Sequence, residues 1–339
     1  MAKLDRVNGH RPRALRHRIP PHVVSAPRPQ ADRLAFDLDR TLAAVLSLWS
    51  EVPDDAFTAG ILGTEREGGG ILIDDNGLVL TIGYLIVEAE AVWLATPEGR
   101  VSNADIVAYD HDTGFGLVRA RDALGAPPLA FGSSSGLAEG DSVIVAGPGG
   151  HDAALDARVV SKREFAGYWE YLLDDAIFTA PPHPDWGGAA LVGEDGKLRG
   201  VGSLFVQDAV PGDAQVPGNM FVPIDLLKPV LGELLALGRV NRPARPWLGM
   251  FTVEDGDRLV VAGLAARGPA HEADVRAGDM VVGVDGEPVH SLADMLRKTW
   301  RLGTAGVMVR LTLLRDGEDI DVWVRSADRN DFLKLPRAH

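Results

Sequence analysis

Three short stretches of the 339-residue sequence hold side chains that could do chemistry. His183 and Asp185 stand two apart in Thr179-Ala-Pro-Pro-His183-Pro-Asp-Trp-Gly187-Gly-Ala-Ala-Leu191, His111 is followed by Asp112, and Ser133, Ser134 and Ser135 form a run of hydroxyls. A histidine beside a carboxylate can act as an acid/base pair or supply two ligands to a metal. A hydrolase would add a hydroxyl nucleophile whose proton the imidazole takes. The same spacings occur in ordinary solvated loops, and residues 133–135 read as a turn. The 179–191 stretch has a second feature. Gly187-Gly188-Ala189-Ala190 is a small-residue turn between two apolar runs, where backbone N–H groups can converge on an oxyanion. Gly187, at the head of that turn, offers no nucleophile.

The elements that must position these groups are mostly strands. Between residues 57 and 223, apolar runs of four to eight residues alternate with turn signals such as Gly68-Gly69-Gly70, Asp75-Asn76-Gly77, Pro97-Glu98-Gly99 and Asp195-Gly196. Many short strands at regular spacing predict a β-barrel or sandwich. Before them, Leu34, Phe36, Leu38, Leu42, Val45, Leu46 and Trp49 recur mostly at three- and four-residue spacings, which predicts a helix over 34–50, stopped by Pro53. A helix over 223–237 closes the β region, and residues 241–246, with Pro243 and Pro246, form a linker. The expected order is a basic tail (1–33), the helix (34–52), the β domain (53–240), the linker, a last domain (247–327) and a short tail (328–339). In the last domain a strand over 280–284 leads to a helix over 291–300, which Ser291 can cap.

Composition narrows the function. A net charge of −14 disfavours nucleic acid as the main partner, although the first 33 residues carry eight basic residues against Asp5 and Asp32. With no cysteine, disulfides, thiolate metal sites and cysteine nucleophiles are excluded. No secretory leader or membrane-spanning run is visible, so a cytoplasmic location is expected. No cofactor and no metal are expected.

The order of these motifs resembles the HtrA/DegP group of trypsin-like serine proteases over roughly residues 57–326. The resemblance rests on Gly69-Gly-Ile-Leu-Ile-Asp-Asp-Asn-Gly-Leu-Val-Leu-Thr81, Val107-Ala-Tyr-Asp-His-Asp-Thr-Gly-Phe-Gly-Leu-Val118, Gly140-Asp-Ser-Val-Ile-Val-Ala-Gly147 and Phe221-Val-Pro-Ile224. Trp247-Leu-Gly-Met250 and Arg276-Ala-Gly-Asp-Met-Val-Val-Gly-Val-Asp-Gly286 carry it into the last domain. It implies a mainly β protein: a trypsin-like double β-barrel followed by an α+β PDZ domain. It also implies peptide binding at Trp247, Leu248, Gly249, Met250 and Thr252, and a homo-oligomer, a trimer in many family members.

The family's catalytic histidine, aspartate and serine fall on Tyr84, Gly114 and Gly187. The glycine that precedes the serine by two in the family is Asp185 here, which disturbs an oxyanion hole. The expectation is therefore a protein that is not an enzyme: an inactive homologue serving as scaffold, adaptor or complex subunit for a protein or peptide partner. Two alternatives stand beside it. One is a serine-type endopeptidase or other hydrolase with a site relocated to His183, Asp185 or His111; the other is a holdase-type chaperone.

Overall fold

The computed structural model describes residues 27–212 and 216–334. Residues 1–26, most of the expected basic tail, lie outside them. The chain divides into two compact units: Met1–Arg163, Asp175–Val240 and Lys334–His339 form the first, and Glu164–Asp174 and Asn241–Leu333 the second.

The first unit holds two closed six-stranded barrels. Strands β1 (Val45–Glu51), β2 (Glu65–Leu72), β3 (Leu78–Ile82), β4 (Ala91–Ala95), β5 (Val101–Tyr109) and β6 (Phe115–Ala120) close in the order β1-β2-β3-β6-β5-β4. Strands β7 (Ser142–Ala146), β8 (Ala154–Gly167), β9 (Tyr171–Ala180), β10 (Ala190–Val192), β11 (Leu198–Val206) and β12 (Gly218–Pro223) close in the order β10-β11-β12-β9-β8-β7. Side chains alternate in and out along each strand, so Val143, Val145, Val159, Ile177, Leu191 and Phe221 fill the second barrel.

Three expectations change here. The helix over 34–50 is only α1 (Leu38–Ala43), capped by Asp37 accepting from the Arg40 N–H at 3.0 Å; from Val45 the chain is β1. Leu46, Leu48 and Ser50 point inward while Ser47 and Trp49 are less buried, a period of two that the leucine spacing masks. Gly68-Gly69-Gly70 is not a turn but the middle of β2. A Cβ on Gly68 would lie 2.6 Å from the Gly187 carbonyl oxygen, and one on Gly69 2.8 Å from that of Gly188. The glycines let backbone of the first barrel lie directly against the 187–188 turn of the second. A single helical turn, α2 (Ala59–Leu62), precedes β2. After β12 a 3₁₀ turn (Ile224–Leu226) and α3 (Leu231–Leu237) replace the one continuous helix expected there.

The second unit is built on β13 (Met250–Asp255), β14 (Arg258–Leu264), β15 (Met280–Val284), β17 (Met308–Arg315) and β18 (Glu318–Arg325), with β16 (Glu287–Pro288) pairing β15. Helix α4 (Pro269–Glu272) and the longer α5 (Leu292–Arg301) complete it. Ser291 caps α5, accepting from Asp294 N–H at 3.0 Å. Leu248, Met250, Val261, Met295, Leu296 and Leu311 meet in its core. Strand β13 ends the sheet order, so its outer edge, beside the 248–250 loop, pairs with no other strand of the sheet. The tips of β8 and β9, residues Glu164–Asp174, belong to this unit and not to the barrel the strands come from. Among the described residues, no helix is long and apolar enough to cross a membrane.

Candidate functional sites: the barrel cleft and the carboxylate-binding loop

The first candidate lies where the two barrels face each other. Gly69 N–H donates to the Gly187 carbonyl at 2.7 Å, and Gly188 N–H to that of Gly202 at 2.8 Å. Thr81 Oγ1 donates to Gly69 O at 2.7 Å and fixes the same seam from β3. Tyr84 follows β3 in a 3₁₀ turn (Gly83–Leu85), and its phenol crosses to the second barrel, donating to the Ser203 carbonyl at 3.0 Å. A Cβ on Gly187 would sit 2.6 Å from that phenol oxygen. Burial of the hydroxyl drives the Tyr84 pKa far above its ordinary value of 10, so it stays a neutral hydrogen-bond donor. Tyr84→Phe removes one hydrogen bond and is expected to cost about 1 kcal/mol in denaturant titration.

Gly114 continues the same wall. Its N–H donates to Asp110 O at 2.8 Å and its carbonyl accepts from Gly83 N–H at 2.7 Å. The nearby Asp110 carboxylate is turned into its own loop, accepting from Thr113 Oγ1 at 2.7 Å and Thr113 N–H at 3.2 Å.

The relocated candidates separate from one another. His183 is buried with both ring nitrogens engaged: Nε2 donates to Ala153 O at 2.9 Å, and Nδ1 accepts from Asp185 N–H at 3.0 Å. Burial lowers its pKa, opposed by the Ala153 contact and by Asp185. The His183–Asp185 link runs through backbone, while the Asp185 residue itself is exposed. That bond turns the Asp185 N–H to the histidine ring rather than toward an oxyanion. His111 sets its ring edge against Tyr109, centroids 4.3 Å apart. Ser133 Oγ and Ser135 N–H donate to Asp225 at 2.8 and 2.9 Å, and Lys228 Nζ joins the same carboxylate at 2.5 Å. Burial would raise Asp225, but Lys228 and the serine donors outweigh it and hold the carboxyl well below the ordinary range. Trp186 is only partly buried and meets Phe205 at 5.8 Å. Among the described residues no cluster of His, Asp or Glu is placed to hold a metal ion.

The second candidate is the loop that enters β13. Gly249 takes φ +72°, a left-handed conformation that side chains resist, and this turns three successive N–H groups the same way. Leu248, Gly249 and Met250 N–H lie 3.1, 2.7 and 3.1 Å from one carboxylate oxygen, Oε1 of Glu170. Leu248 N–H is also 3.1 Å from Oε2. Glu170, partly buried as a residue, turns its carboxylate inward. Burial pushes its pKa up to about 7; the loop N–H groups and the nearby Arg329 pull the other way. Leu248 and Met250 side chains are buried. Trp247 pairs with Ala327 through two backbone bonds of 3.1 and 3.0 Å and packs on Phe332. Thr252 is buried on β13. Glu170 was not among the sequence candidates; its only signal is the aromatic cluster Tyr168-Trp169-Glu170-Tyr171 at a hairpin tip.

Two six-stranded barrels meeting at a small-residue seam, followed by a domain whose edge strand starts at a loop of convergent N–H groups, make up a trypsin-like peptidase domain followed by a PDZ domain, the arrangement of HtrA/DegP-type proteases. Comparison with known proteins agrees. Residues 68–201 match the Trypsin-like peptidase domain family and residues 246–325 the PDZ domain family. Serine protease PepD of Mycobacterium tuberculosis is 30% identical over 270 residues, covering 73% of this chain and 57% of that protein. A probable periplasmic serine endoprotease, DegP-like, of Halomonas elongata is 27% identical over 287 residues, covering 79% of this chain and 57% of that protein. An HtrA-type protease solved with a tripeptide shares the fold, with TM-score 0.52 and 21% identity, over 88% of this chain and 97% of that one. The chain thus spans just over half the length of these two curated relatives.

These findings correct three expectations. A non-enzymatic scaffold or adaptor does not stand, because the relatives are named as serine proteases and endoproteases. The expectation that the chain is not an enzyme falls with it. A cytoplasmic location is overturned as well, since the Halomonas relative is named periplasmic.

Proposed function

We propose that this chain handles polypeptide substrates as a holdase-type chaperone of the HtrA kind, gripping chain ends in the PDZ groove framed by Trp247, Leu248, Gly249, Met250 and Thr252. The observation that carries this reading is the convergence of three consecutive backbone N–H groups on one carboxylate, at 2.7 to 3.1 Å. That is the chemistry that captures a terminal carboxylate while an extended peptide joins a sheet edge. In this reading Tyr84, Gly114 and Gly187 occupy the family's histidine, aspartate and serine positions. Family likeness adds a homo-oligomer, which sedimentation would measure. The test is light scattering of reduced insulin at 37 °C with stoichiometric protein added. Suppressed aggregation is expected, and unchanged scattering at severalfold excess sinks the holdase.

A second reading is a serine-type endopeptidase or other hydrolase with a relocated site, favoured by the names of the relatives. Casein cleavage and fluorophosphonate labelling test it. Gly187 has no side-chain oxygen, so a covalent label would map to another residue, and that residue would be the nucleophile.

A further inference from the structure

The β8–β9 tip does to the second unit what a bound peptide would do. A peptide that adds as a strand pairs its backbone with the open sheet edge and places a carboxylate in the N–H loop. Here the carboxylate is Glu170, on the loop at 248–250. Two residues earlier, the Tyr168 carbonyl accepts from Thr252 N–H of β13 at 3.2 Å, on the edge that β14 does not use. Ala166 and Leu172 pack against the domain core, and the Tyr168 ring meets Phe251 edge-on at 6.1 Å. Glu170 holds φ +61°, uncommon for a residue other than glycine. The contacts that flank the tip are weak ones. Arg297 pairs with Glu164 and Asp174 at 2.5 Å, yet all three side chains are exposed, and Tyr168 is 43% exposed. Arg329 Nη1 donates to Trp169 O at 3.1 Å.

We infer that the tip Glu164–Asp174 is an internal pseudo-ligand, and that an incoming polypeptide C-terminus must displace Glu170 from the loop at 248–250 to bind. This rests on the groove being the peptide site proposed above, and gives that site a built-in competitor. A site occupied most of the time by its own chain binds an external ligand more weakly in proportion to the fraction left open.

The test uses the full chain and a fluorescein-labelled decapeptide ending in Tyr-Val-Phe with a free α-carboxylate, beside the same peptide C-terminally amidated. Fluorescence polarisation is measured for the native protein, Glu170→Ala and Glu170→Gln. Both variants are expected to bind the free-carboxylate peptide about tenfold tighter or more, with little gain for the amide. Hydrogen exchange on the native protein should show the 164–174 amides losing protection as peptide saturates, while β14 and β15 keep theirs. Equal affinity for all three proteins overturns displacement but leaves peptide capture intact. Binding by none of them overturns the inference too, and the insulin assay then decides separately whether the chain holds unfolded polypeptide by another surface.

Discussion

Gly188→Ala is expected to cost the barrel unit about 2–5 kcal/mol, the sum of a left-handed residue gaining a Cβ and an overpacked seam. Gly188 has φ +77°, and a Cβ there would stand 1.9 Å from the Gly69 carbonyl oxygen and 3.0 Å from Thr81 Oγ1. Neither neighbour can yield easily. Gly69 sits in β2, paired to β1, and its own N–H donates to Gly187 O. The clash must therefore be relieved by parting the two barrels at the seam. Gly140→Ala is the control. Its φ is +93° but nothing lies within 4 Å of the added atom, so only the backbone penalty of about 1–2 kcal/mol applies. Guanidinium titration of both variants checks the difference. Equal losses would mean that the seam is looser than these distances indicate.

Arg66→Leu should be of similar size, about 3–5 kcal/mol, because it strips the partner from a buried charge. Arg66 is 2% exposed on β2. Its guanidinium donates to Tyr84 O at 2.7 Å, Val87 O at 2.9 Å, Gly63 O at 3.2 Å and Thr58 Oγ1 at 2.8 Å. Thr58 Oγ1 in turn donates to Glu88 at 2.6 Å, and the Thr58 and Phe57 N–H groups reach the same carboxylate at 2.7 and 3.0 Å. Burial lowers Arg66 to about 10, with Glu88 opposing. Burial raises Glu88, but Thr58, Lys334 and Phe57 outweigh it and leave the net pKa below the ordinary 4.5. Glu88 therefore contributes stability that is fully present above the unfolded value and is lost as pH falls through the lower, folded value. Acid titration should show that loss in the native protein and not in Glu88→Gln. Arg66→Leu should also loosen the turn that carries Tyr84, since Arg66 is what holds that carbonyl.

The fold was largely legible because strand spacing and turn chemistry are local. The strand expected over 280–284 is β15 residue for residue. The helix over 34–50 failed where leucines at helical spacing also satisfy a period of two. That choice is made by the neighbours β2 and β4, which lie far along the chain. The Gly68-Gly69-Gly70 run misled for a related reason: its meaning comes from backbone more than a hundred residues away. At the second candidate site, the motif singles out Leu248, Gly249 and Met250 as a loop of interest, whereas nothing in the sequence points to the Glu170 that meets their N–H groups. Nothing local distinguishes a glutamate at a hairpin tip from a solvated one until the loop it meets is placed. His183 shows the converse, since the two-residue spacing suggests a pairing with the Asp185 carboxylate, whereas its ring meets the Asp185 N–H and the Ala153 carbonyl.

The second unit is discontinuous in the chain, and that has a consequence for how the molecule is made. Glu170 leaves the ribosome 78 to 80 residues before the backbone groups that receive it. For that interval the nascent tip carries Tyr168, Trp169 and Tyr171 with no docking surface yet synthesised, which favours early closure of the barrel strands that hold it away from other chains. The later segment then arrives at a template already in place. Proteolytic nicking at 241–246 would leave the second unit's two segments on different fragments, with Glu164–Asp174 on the piece that carries both barrels.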